Sequence, residues 1–106
     1  MRPYAVGFAP EADDQLEALF LYVAGRSSVA TAGRYLSAVV HTCEQLAMFA
    51  HRGVPRDDIR PGLRVTHHKG RTIVAYAIDD EQRRVTILGV FYGGQDYEAS
   101  LSSDVG

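Results

Sequence analysis

Four side chains in the last part of the chain have the types that acid–base chemistry on an RNA backbone would need: His67, His68, Arg71 and Tyr92. An imidazole moves a proton near neutral pH. A guanidinium neutralises the charge that builds on a phosphate. A phenol orients a base or acts as an acid. Together they would suit RNA cleavage through the 2′-hydroxyl. Adjacent residues on a strand point to opposite faces, so only one of the two histidines can serve. The sequence fixes no second acid–base partner, and the plainer reading, a polar strand edge without chemistry, outweighs the catalytic one.

Other chemistries find less support. His41 and His51 are ten residues apart and His67 and His68 are adjacent. No histidine pair has metal-ligand spacing, so no metal site is expected. Cys43 is the single cysteine and excludes an internal disulfide framework. It lies on an apolar helix stripe, the place of a buried thiol. Gly93-Gly94 follows a strand but belongs to no phosphate-binding pattern, and no cofactor is expected. Phe8, Phe20, Phe49 and Phe91 sit at core spacings.

The elements that must position these residues follow from periodicity. The chain has 106 residues, enough for one α+β domain over residues 1–106 with one modest core. Tyr4, Val6 and Phe8 alternate as a short half-buried strand does. Pro10 suits the first turn of a helix, and Glu11, Asp13 and Asp14 favour its positive end. Ala12, Leu16, Leu19, Phe20 and Val23 give that helix one apolar face, and Gly25 stops it. Ser27 or Ser28 caps a second helix, whose stripe runs Ala32, Leu36, Val39, Val40, Cys43, Leu46, Ala47, Ala50. The short connection makes the two an antiparallel hairpin. His51 to Gly62 reads as a loop. Three strands follow, Leu63–His68, Thr72–Ile78 and Val85–Tyr92, joined by hairpin turns into an antiparallel meander. The first strand must pair with this sheet, in parallel beside the last strand. Ser100 to Gly106 reads as a frayed tail.

Charge is unevenly spread. Eleven lysines and arginines face thirteen aspartates and glutamates, which argues against a general nucleic-acid coat. Residues 51–71 nevertheless hold Arg52, Arg56, Arg60, Arg64, Lys69 and Arg71 against only Asp57 and Asp58. This basic block is either an anion or acidic-partner surface or a solvated loop with local Arg–Asp pairs. No run reaches the roughly 18 apolar residues of a membrane span, and no signal peptide is visible, so a cytoplasmic protein is expected.

The strings FAPEADDQLEALFLYVA, AGRYLSAVVHTCEQLAMF, HRGVPRDDIRPGLRV and TIVAYAIDDEQRRVTILGVFYGGQDYEASL, in that order, resemble the ParE branch of the RelE/ParE superfamily. These are the toxins of type II toxin–antitoxin pairs. The resemblance runs from Tyr4 to about Leu101. Its most specific parts are Gly53-Val54-Pro55-Arg56, Pro61-Gly62-Leu63-Arg64, the Tyr76 strand, and Val90-Phe91-Tyr92-Gly93 before Gln95-Asp96. It implies the same small α+β fold and an adjacent-gene ParD-like antitoxin whose C-terminal segment wraps the toxin. It also implies inhibition of DNA gyrase without catalysis. The RelE relatives, ribosome-dependent mRNA endonucleases, are the alternative. They carry cations on the central strands and a basic or aromatic residue near the end of the last one. Here Thr72 to Ile78 has only Arg71 at its start, and Gly93, Gly94 and Gln95 follow the last strand. Direct nucleic-acid binding is accordingly not expected. The antitoxin contacts expected are Leu19, Tyr22, Tyr35, Arg64 and Arg71. The target contacts expected are Tyr92, Gln95, Asp96 and Tyr97.

Overall fold

A computed structural model describes residues 2–102. Strand β1 (Ala5–Phe8) leads into helix α1 (Pro10–Arg26), with Pro10 in its first turn. Helix α2 (Val29–Glu44) begins at Ser28, whose side chain accepts from the Thr31 N–H. That choice between the two serines follows from position, since only the residue before the first turn reaches an unpaired N–H. The two helices form the expected hairpin. The apolar stripe read as one helix to Ala50 is broken: α2 ends at Glu44, and two single-turn 3-10 segments follow, Gln45–Ala47 and Ala50–Arg52.

The meander is present as β3 (Leu63–His68), β4 (Thr72–Asp79) and β5 (Arg84–Phe91). β1 pairs in parallel with β5, as expected. The stretch from His51 to Gly62 is not wholly a loop. It contains β2 (Val54–Pro55), which pairs antiparallel with β3. The sheet therefore has five strands in the order β1-β5-β4-β3-β2. Pro55 fits there because an edge strand tolerates a residue without an N–H.

Alternation divides the sheet between two cores. Val74, Tyr76, Val85, Ile87 and Val90 are buried with Leu16, Leu19, Val39 and Cys43 of the helical hairpin. Leu63, Val65, Ala75 and Phe91 form a second cluster on the opposite face, with Leu101. Both faces of β5 stay apolar because its register shifts: Ala75 faces Gly89 while Tyr76 faces Ile87. The extra residue, Leu88, makes a bulge that turns Ile87 and Val90 to the same side. Gly89 is required there. A Cβ on it would lie 2.6 Å from the Phe91 ring.

The end of the chain departs from the expectation of a fray. Helix α3 (Tyr97–Leu101) includes Ser100 and Leu101, and Leu101 is buried. An apolar side chain with a core to join orders the backbone that carries it. Residues 103–106 lie outside the described residues.

Candidate functional site

The chemistry-bearing residues meet at the end of the sheet where β3 and β4 turn. His68 pairs with Thr72 across β3 and β4, and both face the helical hairpin. The His68 ring is buried. Its Nδ1 is 2.8 Å from the Thr42 Oγ1 of α2, and its Nε2 is buried without a partner among the described residues. Burial, and then the Lys69 charge, hold this imidazole below its ordinary pKa, so the neutral ring is the resident form. Tyr35 of α2 stands edge-on to it, with ring centroids 5.4 Å apart. The Tyr35 hydroxyl is 2.6 Å from the Thr72 Oγ1.

His67 points to the opposite face and is exposed. Arg71 is exposed in the turn. Tyr92 packs against Tyr22 of α1 at 5.0 Å, and the Arg26 guanidinium lies 4.8 Å over the Tyr22 ring. Among the described residues no side-chain hydrogen bond joins any two of His67, His68, Arg71 and Tyr92. The sheet brings His68 and Tyr92 to one end and one face, but it sends the second histidine away. Thr42 and Thr72 were not anticipated. The available signal was the spacing Tyr35, Val39, Thr42, Leu46, which places a hydroxyl on an otherwise apolar stripe.

The expected antitoxin contacts separate into two kinds. Leu19 is 1% exposed and belongs to the core, so it presents no surface. It follows Leu16 on the stripe that packs on the sheet, and burial there satisfies its whole side chain. Tyr35 is half-buried. Tyr22 is 40% exposed, and together with Arg71 it is open to a partner. Arg64 donates to the carbonyls of His51 at 3.2 Å and Gly53 at 2.7 Å.

The basic block is largely engaged within the fold. Arg56 donates to Asp58 at 3.0 Å, to Glu98 at 3.0 Å and to the Tyr97 hydroxyl at 2.6 Å. Asp58 and Glu98 raise the Arg56 pKa further, and Arg56 holds the Asp58 carboxyl below its ordinary range. Arg60 donates to the Leu101 carbonyl at 3.0 Å. Arg56, Arg60 and Arg64 therefore tie the β2 segment and α3 to the sheet rather than forming one open anion surface. Lys69 and Arg71 remain exposed at the β3–β4 turn.

The expected target contacts also have local work. Gln95 Oε1 accepts from the Tyr92 N–H at 3.0 Å. Asp96 caps α3 by accepting from the Ala99 N–H. Tyr97 packs against Phe91. Gln95 and Asp96 are exposed. Cys43 is buried, and burial pushes its thiol up to about 12, which makes it an inert core group. Among the described residues no helix is long and apolar enough to cross a membrane, and no group of three or more histidine, cysteine or carboxylate side chains gathers.

The motifs of the resemblance fall on these locks. The Gly53 N–H donates to the Tyr76 hydroxyl at 2.8 Å, Arg56 clasps α3, and Gly62 has a φ of 82° with its N–H on Asp57. Comparison with known structures agrees. The chain resembles one in the toxin–antitoxin complex RelBE2 from Mycobacterium tuberculosis, with 27% identity and a TM-score of 0.65 over 90% of this chain and 97% of that one. It resembles in fold a chain of the chromosomal ParDE TA system from P. aeruginosa, at 16% identity and a TM-score of 0.73, covering 84% and 95%. No curated protein matches the sequence. Residues 6–97 match the model of the ParE toxin of the type II toxin–antitoxin system parDE. A match over that much of the chain, on the fold that carries it, makes this protein a member of the ParE toxin family.

Proposed function

We propose that this toxin acts without catalysis, by binding DNA gyrase, and that a ParD-like antitoxin from an adjacent gene neutralises it. The observation that carries the first half is the disposition of the two histidines. His68 is buried against α2 and engaged by Thr42, while His67 lies on the other face of the sheet. A nuclease needs an acid and a base that converge on one phosphate. β4 itself carries no cation, and only Lys69 and Arg71 stand exposed in the turn that leads into it, which leaves little to offset the charge of a pentavalent phosphate. The antitoxin half is supported by the two structures this chain resembles, both described as toxin–antitoxin systems.

The test is induction in cells with two readouts. Gyrase inhibition predicts loss of negative supercoiling and double-strand breaks, with mRNA intact on ribosomes. Codon-phased mRNA cuts without a supercoiling change would establish the nuclease instead. Purified toxin added to a gyrase supercoiling assay gives the direct measurement.

A further inference from the structure

At the end of the molecule where β5 begins there is a hollow of about 520 Å³, lined by Tyr4, Met48, Phe49, His51, Arg52 and Arg83. Met48 and Phe49 are each 55% exposed. Two adjacent large apolar side chains left in water at a concavity mark a contact surface. The rim is cationic. The Arg52 guanidinium lies 5.1 Å over the Phe49 ring, and that of Arg83 lies 4.5 Å over the Tyr4 ring. Neither arginine forms a salt bridge among the described residues. Arg83 Nε is buried without a partner there. Asp80, one of three consecutive carboxylates with Asp79 and Glu81, is already engaged by the Tyr4 hydroxyl at 2.5 Å and by His51 Nε2 at 3.2 Å.

We propose that this hollow seats an acidic segment of a partner protein, one that carries a single large apolar side chain between carboxylates. The apolar side chain covers Met48 and Phe49. One flanking carboxylate meets the Arg52 guanidinium, whose planar fork suits bidentate pairing. The other meets Arg83, one of whose nitrogens is already bonded to the Arg2 carbonyl. A protein segment fits better than RNA because Met48, exposed beside Phe49, calls for an apolar side chain rather than a base, and one face of the Phe49 ring and one of the Tyr4 ring already carry an arginine. The hollow and the Tyr22–Tyr92 pair lie at opposite ends of β5. Its eight residues span roughly 25 Å at about 3.4 Å per residue. A segment here leaves that other face open, and the inference does not depend on the gyrase reading.

The test uses the full chain and a dye-labelled eight-residue peptide with phenylalanine between paired glutamates. Affinity is read by fluorescence anisotropy. The place of binding is read from the Met48 methyl signal, which is simple to assign because the chain has two methionines. We expect the peptide to shift the Met48 signal. Replacing its phenylalanine by alanine, or its glutamates by lysines, should weaken binding at least tenfold. These peptide changes test the idea without altering the protein. Arg52→Glu, at an exposed position, should also weaken binding at least tenfold. Equal binding of the glutamate and lysine peptides would overturn the proposal. So would a Met48 signal that responds to single-stranded RNA and not to the peptide, or an affinity unchanged in Arg52→Glu.

Discussion

The Tyr76 hydroxyl accepts a hydrogen bond from the Gly53 N–H at 2.8 Å, and it donates one to the Ala50 carbonyl at 2.8 Å. One buried phenol at the centre of β4 thereby pins the 3-10 segment that carries the chain from the helices to β2. Gly53 is needed because a Cβ there would sit 2.6 Å from that hydroxyl oxygen. Tyr76→Phe leaves a buried N–H and a buried carbonyl unpaired, at about 1–3 kcal/mol. The midpoint of thermal unfolding should fall by about 4–8 °C for each kcal/mol lost. Gly53→Ala should lower it too, by a steric route. An unchanged midpoint in Tyr76→Phe would show that water replaces the phenol.

His68 should make stability depend on pH. Its imidazole is held below the ordinary value of 6.5 in the folded protein. The unfolded chain therefore takes up the proton first as pH falls. The contribution of the neutral ring is complete above about 6.5 and is lost progressively below it. Thermal unfolding between pH 8 and pH 5 should fall more steeply for the native chain than for His68→Gln. Parallel profiles would remove His68 as the cause.

Arg71 offers the clean charge test for the antitoxin. It is exposed and makes no side-chain hydrogen bond among the described residues, whereas Arg64 supports the carbonyls of His51 and Gly53. Reversing both charges would confound binding with folding. Arg71→Glu alone should weaken antitoxin binding at least fivefold by calorimetry and leave thermal unfolding nearly unchanged. Full affinity in that variant would take Arg71 out of the interface.

Leu101 decides how truncations are to be read. It is buried against Phe91 and the outer sheet face. Leu101→Ala should cost about 2–3 kcal/mol by denaturant titration. Deleting everything after Gly94 removes this contact together with the Arg56 clasp. Loss of toxicity in that deletion would then follow from instability alone. Single changes at the exposed Gln95 or Asp96, scored for gyrase inhibition at matched stability, separate target contact from folding.

Elements with a strong period were legible from residues alone. The two helices, three strands of the meander and the parallel placement of β1 follow from stripes, caps and turn residues. What could not be read depends on partners distant in sequence. β2 is two residues long and exists because β3 offers it an edge. The Leu88 bulge is invisible until β4 sets the register. For the arginines of residues 51–71 the sequence leaves an open cationic surface and local Arg–Asp pairs as alternatives. The Arg56–Asp58 pair is local, but Tyr97, Glu98 and the Leu101 carbonyl, which also engage Arg56 and Arg60, lie about forty residues onward. Leu19 and Tyr22 share a helix, and only the packing of the sheet separates the buried one from the open one.

The pairing of β1 with β5 has a consequence for synthesis. Phe8 sits beside Ile87, so the first strand made is completed by the last. The helical hairpin can form while the chain is being made, because its contacts are local. The central sheet cannot close until Phe91 has emerged. A nascent chain whose β5 is still inside the ribosome lacks the strand that joins β1 to β4, so any surface built on the complete sheet does not yet exist.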